Sequence, residues 1–214
     1  ETEPESTHAE NYRINSFHLG EGSPKQKFRA NMDAIYTLKT LENQNRDATP
    51  EEQETLANYV GWGGLADAFD AEKTAWTGEY KELKAALTEE EYAAARASTL
   101  NAHYTSPTVI RAIYEALDGM GFEKGNILEP SMGVGNFFGM LPDSMLGSRL
   151  YGVELDSITG RIAQKLYPQA EIKVAGFETT DRRDFYDLAV GNVPFGNYRV
   201  SDKPYDKLGF SIQP

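Results

Sequence analysis

The spacing of hydrophobic and polar positions changes near residue 100 of the chain. Before that point, apolar residues recur every three or four positions, which is typical of amphipathic helices. The longest such run spans residues 24–42. A second helix begins at Thr49 and Pro50, a third covers 79–87, and Thr88 begins a fourth. The region from 24 to 100 is therefore predicted to be all-helical.

Beyond residue 101, short apolar segments alternate with helical patterns. A helix is predicted from Pro107 to near Gly119. Strands are predicted at 126–129, 149–154, 170–174 and 186–190, with helices at 136–140 and 157–166. This alternation predicts a mostly parallel sheet covered by helices. Residues 101–214 are thus assigned to an α/β core and residues 1–23 to a flexible acidic arm, in which Tyr12 and Ile14 can pack locally.

Composition narrows the classes of site and partner. The chain of 214 residues contains no cysteine, which excludes disulfides and zinc–thiolate sites. Its three histidines are scattered, so no metal site is predicted. No apolar run is long enough to span a membrane, and the polar, acidic N-terminus is unlike a signal peptide, so a cytoplasmic location is expected. A net charge of -12 opposes strong binding of a nucleic-acid backbone by this chain alone.

A glycine-containing loop follows the first predicted strand. The strand ends in Glu129 and Pro130, and Gly133 and Gly135 precede Phe137 in a predicted helix. Glycines permit a sharp turn and a close approach to a ligand, and the helix start offers free N–H groups. The loop alone is equally compatible with a nucleotide-like ligand and with a plain strand-to-helix turn.

Candidate ligand-binding residues also follow the second and third strands. Glu154 lies about 20 positions after the glycine loop, where an acid of a doubly wound sheet accepts both hydroxyls of a ribose. Leu155 and Asp156 come next, and Asp156 also suits a helix cap. Phe177 follows the third strand, where an exposed ring can stack on adenine and a buried ring belongs to the core.

The fourth predicted strand is followed by Asn192, Val193, Pro194 and Phe195. The Asn192 side-chain oxygen and the Val193 carbonyl can accept hydrogen bonds from an amino group, and Phe195 can stack on a planar base. Held in this way, the amino nitrogen can attack a methyl donor through its lone pair, with catalysis by positioning and electrostatics. By itself, an Asn-x-Pro-Phe segment is also compatible with an ordinary loop.

Taken together and in this order, these motifs resemble those of S-adenosylmethionine-dependent amino-methyltransferases, especially the N6-adenine DNA methyltransferases. The chain is most similar to the methyltransferase region of large methyltransferase–helicase proteins of phages and conjugative elements. The resemblance covers about residues 100–210 and includes the segment 103–107, which is similar to the motif that precedes the family's glycine loop. One departure is Val193, where the family usually has proline.

The resemblance implies a Rossmann-like class I methyltransferase sheet with S-adenosylmethionine as cofactor. Thr105 and the Gly133–Gly135 loop would hold its methionine end, Glu154 its ribose and Phe177 its adenine. The further cofactor-binding residues are Tyr104, Glu129, Pro130, Phe137, Leu155 and Asp156. The catalytic set is Asn192, Val193, Pro194 and Phe195, with Phe195 stacked on a base flipped out of the duplex.

The family's sheet has three further strands, so the chain is expected to be a fragment truncated after the fourth strand and inactive or weak alone. DNA is the expected partner, bound mostly by segments outside this chain, together with a helicase region of the same parent protein. Methylation of RNA or of a protein glutamine, and a non-catalytic role, remain alternatives. Leu188, Ala189 and Val190 would form an unprotected sheet edge. The fragment is therefore expected either to be marginally stable or to bury this edge against its own N-terminal helices or, by self-association, against another copy.

Overall fold

A computed structural model describes residues 9–15, 20–99 and 104–193. Within these residues the fold contains seven α-helices and four strands. They are α1 (Pro24–Gln44), α2 (Pro50–Ala57), α3 (Thr77–Ala86), α4 (Glu89–Ser98), α5 (Pro107–Gly119), β1 (Asn126–Glu129), α6 (Asn136–Gly139), β2 (Arg149–Glu154), α7 (Ser157–Leu166), β3 (Glu171–Val174) and β4 (Leu188–Ala189). None of the helices in these ranges is long and apolar enough to cross a membrane.

The four strands form one parallel sheet in the order β3-β2-β1-β4. The chain moves outward from β1 through β2 to β3 and then returns to the other side of β1 for β4. This reversal creates a topological switch point between β1 and β4, at which ligands of doubly wound folds bind. The predicted α/β, Rossmann-like fold with an N-terminal helical region is confirmed.

Alternation along the strands divides the apolar side chains between the two faces of the sheet. Ile127 and Leu150 belong to the large core that the helices cover. Leu128, Tyr151 and Val153 point to the opposite face, where Phe185 and Tyr186 pack on them. Strand β4 is shorter than predicted. The backbone nevertheless continues to pair with β1 beyond it, since the Val190 N–H donates to the Leu128 carbonyl over 2.9 Å.

The helical region and the sheet region share one hydrophobic core, which contains side chains from both. At their junction, Arg161 of α7 forms ion pairs with Glu42 of α1, at 3.0 Å, and with Glu91 of α4. The Gln53 side chain of α2 also donates to the Leu166 carbonyl at the end of α7, over 3.3 Å. The predicted boundary at residues 100 and 101 lies outside the described residues.

Residues 9–15 belong to the predicted arm, in which Tyr12 and Ile14 can pack locally, and they lie against the folded body. The Tyr12 N–H donates to the Leu166 carbonyl over 2.8 Å, and the Ile14 N–H donates to the Gly139 carbonyl over 2.9 Å. The Tyr12 ring is buried, and its hydroxyl donates to Glu54 over 2.8 Å. These contacts cover the ends of α6 and α7. The other residues of the predicted arm, 1–8 and 16–19, lie outside the described residues, while 20–23 lead directly into α1.

A buried asparagine holds the turn that follows α2. Asn31 of α1 is fully buried; its Nδ2 donates to the Gly61 carbonyl over 2.6 Å, and its Oδ1 accepts from the Val60 N–H over 2.8 Å. Gly61 has a φ of 67°, in the left-handed region that favours glycine. Trp62 is buried next to it and stacks edge-on against Phe69, with the ring centroids 5.2 Å apart. Side-chain bonds and aromatic packing therefore keep this turn in one conformation.

We expect Asn31→Ala to lower the free energy of unfolding by about 2–4 kcal/mol, because it leaves a partly buried N–H and a buried carbonyl without partners. Urea denaturation followed by circular dichroism measures this change. Asn43→Ala, at an exposed position of the same helix, serves as the control and should change stability by no more than about 0.5 kcal/mol. Equal stability of the two variants would contradict the proposed restraint of the turn.

Candidate functional site

A cleft of about 620 Å³ opens at the carboxyl edge of the sheet, and residues that follow all four strands line it. Most of the predicted site residues lie there. They are Tyr104, Thr105, Glu129, Pro130, Gly133, Phe137, Glu154, Leu155, Asp156, Phe177, Asn192 and Val193. The fold therefore brings together residues that are separated by up to about ninety positions along the chain.

Among the predicted site residues that the structure describes, Gly135 does not line the cleft. Gly135 immediately precedes α6 and has a φ of 83°, and a Cβ there would lie only 2.5 Å from Cε2 of Tyr167. The glycine is thus required for the left-handed turn and for packing against Tyr167, and it does not line the cleft. Pro194 and Phe195 lie outside the described residues.

The glycine loop is connected directly to the end of β2. Gly133 has a φ of 56°, and its N–H donates to Oε2 of Glu154 over 2.8 Å. A Cβ at Gly133 would lie 2.9 Å from Cε1 of Tyr104. Tyr104 therefore covers the loop so closely that a larger residue at position 133 would displace the tyrosine ring.

Glu154 and Asp156 have different roles, although both line the cleft. Oε1 of Glu154 accepts from the Asp156 N–H over 2.8 Å, while Oε2 accepts from Gly133. Burial raises the pKa of Glu154, and these N–H groups partly oppose that rise. Asp156 caps α7, because its Oδ1 accepts from the N–H and the hydroxyl of Thr159 over 2.8 and 2.6 Å. Each carboxylate oxygen of Glu154 keeps a second lone pair that can accept a ligand hydroxyl.

Glu129, at the end of β1, has an acceptor with no partner. Its side chain is 3% exposed, and its Oε2 forms no hydrogen bond within the described part of the chain. Burial, together with the charge of Glu154, raises the pKa of Glu129 well above its usual range. An unpartnered buried carboxyl group costs free energy unless something binds it. Its position in the cleft suits a cationic ligand group such as an ammonium.

Three large apolar side chains around the cleft are exposed to solvent: Leu155 by 76%, Phe177 by 51% and Val193 by 56%. The sequence left open whether Phe177 is an exposed ring or a core residue. The residue lies on a short turn after β3 and is exposed, so it is not part of the core. Exposed apolar side chains beside a cleft provide a surface on which a flat ring can pack.

The end of β4 lies next to the glycine loop. Leu128 of β1 pairs with Ala189 of β4, and a Cβ at Gly191 would lie 3.5 Å from Cδ of Pro130. Asn192 and Val193 follow immediately and are exposed. The amide and carbonyl groups after β4 therefore open onto the same cleft as the loop after β1.

The helical region contributes part of the cleft, which was not predicted. Tyr59 and Gly61 follow α2, and three small residues of α4 line the same space: Ala94, Ala97 and Ser98. Alanines in a helix carry no chemical signal from which this position could be predicted. Further lining residues missed in the sheet region are Ser131, Met132, Asn136, Thr159, Ala175, Gly176 and Glu178.

Among the residues that the structure describes, no group of three or more His, Cys, Asp or Glu side chains is placed to hold a metal.

We expect Glu129→Gln to raise the melting temperature at pH 8 and to raise it by much less at pH 5. The raised pKa of the native carboxyl means that the wild type loses stability as the pH rises above the unfolded value of 4.5 and through the folded value. Glutamine removes this loss. Calorimetry at both pH values measures the difference, and the exposed Glu123→Gln is the control. A melting temperature at pH 8 equal to or below that of the wild type would contradict the assignment.

Comparison with known proteins identified two relatives. The chain is 29% identical over 192 residues to "Defense against restriction protein B" of Escherichia phage P1, and the alignment covers 87% of this chain and 7% of that protein. It is 34% identical over 92 residues to "Type II methyltransferase M.CvrRI" of Paramecium bursaria Chlorella virus XZ-6E, covering 43% of this chain and 24% of the relative. No known family pattern and no solved structure matches. The chain thus spans a small part of both relatives, and the similarity supports a relationship to methyltransferases.

Proposed function

We propose that this chain forms the cofactor and target site of a DNA methyltransferase that transfers a methyl group from S-adenosylmethionine to N6 of adenine. The observation that carries the proposal is the meeting of the glycine loop after β1 and the Asn192–Val193 segment after β4 in one cleft. The first is suited to a charged cofactor and the second to an amino group. The names of the two relatives, one for defence against restriction and one for a type II methyltransferase, fit this function.

The residues of the cleft match the chemical groups of the cofactor. Glu129 offers an unpartnered buried carboxyl group to the ammonium, and Glu154 offers two fixed oxygens to the ribose hydroxyls. Leu155 and Phe177 offer exposed apolar surface to adenine, while Thr105 lies with the glycine loop at the methionine end. When bound, S-adenosylmethionine supplies a methyl group on a positively charged sulfur. Tyr104, Pro130, Phe137 and Asp156 complete the proposed cofactor site.

Asn192 and Val193 would position the target. The side-chain oxygen of Asn192 and the main-chain carbonyl of Val193 are acceptors for the two hydrogens of an adenine amino group. Two such bonds fix the amino nitrogen and favour the geometry in which its lone pair is available for attack. The substitution of valine for proline leaves a carbonyl at this position. Pro194 and Phe195, the latter predicted to stack on the flipped base, complete the proposed catalytic set.

The charge of the chain indicates how DNA would be held. A net charge of -12 does not favour contacts with phosphates, which basic side chains make. We therefore assign most DNA contacts to segments beyond these residues in a longer parent protein, which we propose also carries a helicase region. An amino or amide nitrogen of RNA or of a protein glutamine can form the same hydrogen bonds, so the assay of methyl transfer includes all three substrates.

We expect Asn192→Ala to reduce methyl transfer to adenine in DNA by about 100-fold or more in the parent protein, because one of two acceptors for the amino group is lost. Incorporation of tritiated methyl groups into DNA, RNA and a glutamine-containing protein measures the rate and the substrate. Binding of S-adenosylmethionine by this variant should stay within about twofold, since Asn192 contacts the target.

Asn43→Ala, at an exposed helical position, is the matched control and should transfer methyl groups at the parental rate. Transfer to DNA by Asn192→Ala at that same rate would remove the proposed mechanism. Labelling of RNA or protein in place of DNA would instead reassign the substrate.

We expect Glu154→Gln to weaken binding of S-adenosylmethionine by about 10- to 100-fold. The substitution replaces a charged acceptor of hydroxyl hydrogen bonds with a neutral one, a loss of about 1.5–3 kcal/mol. Isothermal titration calorimetry measures the affinity. Glu123→Gln, with the same chemical change at an exposed position, should bind like the parent. Unchanged affinity in Glu154→Gln would show that Glu154 does not hold the ribose.

A further inference from the structure

Five residues of the helical region form a second side of the cleft, which we call the helical wall: Tyr59, Gly61, Ala94, Ala97 and Ser98. Ala94 and Ala97 are exposed, and Ser98 is partly exposed. The spacing of 94, 97 and 98 places them on one face of α4, since residues three and four apart are neighbours on a helix. Their small side chains leave space in front of this face of α4.

The helical wall is held rigidly. The fully buried Asn31 fixes the turn at Val60 and Gly61 with two hydrogen bonds. The Gly64 N–H then donates to the Thr99 carbonyl over 3.2 Å, which connects the turn to the end of α4. Burying a polar side chain is unfavourable unless it is hydrogen-bonded, as Asn31 is. The two connections keep the turn after α2 and the end of α4 in a constant position relative to each other.

The wall also lies beside the end of β2. The Tyr59 side chain is 2% exposed and lines the cleft together with Thr159, whose hydroxyl donates to Asp156 over 2.6 Å. The carboxylates of Asp156 and Glu154 lie near enough to Tyr59 to contribute, after burial, to raising its pKa. From the other side, Arg161 of α7 pairs with Glu91 of α4 and thereby joins α4 to the helix that follows β2. Tyr59 is therefore beside the acid that would hold a ribose.

We propose that the helical wall binds the nucleoside half of S-adenosylmethionine, together with Glu154, Leu155 and Phe177. The inference rests on the proposed function and extends it to a region that carries none of the recognised motifs. The three small residues of α4 leave the space that a ribose and a flat ring need, and Tyr59 bounds that space next to Glu154. The helical region is thus part of the cofactor site, and its role is not limited to assembly.

The test fills the space in front of α4. Ala97→Leu places three additional carbon atoms in the cleft at an exposed helical position, where leucine is a good helix former. Ala93→Leu makes the same change at an exposed position of α4 that does not line the cleft. The two variants and the unsubstituted chain are each titrated calorimetrically with two compounds, S-adenosylmethionine and 5′-methylthioadenosine. The second compound retains the nucleoside half of the cofactor and lacks its amino acid. Melting temperatures of all three proteins verify the fold.

We expect Ala97→Leu to weaken binding of both compounds by tenfold or more and by the same factor, while Ala93→Leu binds both like the parent. Equal binding by all three proteins would overturn this inference alone. Weaker binding of S-adenosylmethionine with unchanged binding of 5′-methylthioadenosine would place the wall at the methionine half and would also overturn it. If the unsubstituted chain does not bind S-adenosylmethionine, both the proposed function and this inference are overturned.

Discussion

The parallel pairing of β1 with two neighbours is the constraint on which the site depends. Hydrogen bonds to β2 on one side and to β4 on the other bring the carboxyl ends of the three strands to the same edge. The loop after β1 is thereby next to Glu154 on one side and next to Asn192 on the other. A shift of one residue in either register would turn every side chain of the strand to the opposite face of the sheet. The two strand pairings therefore set both the core and the cleft.

The contact between the helical region and the sheet region has two components. Most of it is apolar, because side chains of both regions are buried in one core. The ion pairs of Arg161 with Glu42 and Glu91 add orientation, since the guanidinium side chain is 25% exposed and bonds to two different helices. Ion pairs with this much exposure contribute little free energy by themselves. The pair with Glu91 shows that α4 comes close to α7 at this point.

Three carboxyl groups near the strand ends show how local surroundings give one functional group different roles. Asp156 uses its oxygen to cap α7, and Glu154 accepts two backbone N–H groups and remains oriented. Oε2 of Glu129 neither caps a helix nor accepts a backbone N–H within the described residues, and burial favours the neutral form of this carboxyl group. A residue that costs stability in this way is typical of a binding site, where a ligand supplies the missing partner. Asn31, which holds the turn at Gly61, is the opposite case, because it is fully buried and both polar atoms of its side chain have hydrogen-bond partners.

The sequence by itself determined the elements and the identity of most residues at the strand ends. Helix α7 and strand β2 begin and end where hydrophobic periodicity and the flanking acids predict, because these are local properties of the backbone and its caps. The motifs around Glu129, Glu154 and Asn192 could also be predicted from the sequence, because each places a polar residue directly at the end of an apolar strand segment. Only the tertiary structure decided that α4 and the turn after α2 form part of the cleft. Alanines at 94 and 97 carry no chemical signal. They line the cleft because the chain folds α4 next to it, where Glu91 of α4 pairs with Arg161 of α7, a residue far away in the chain.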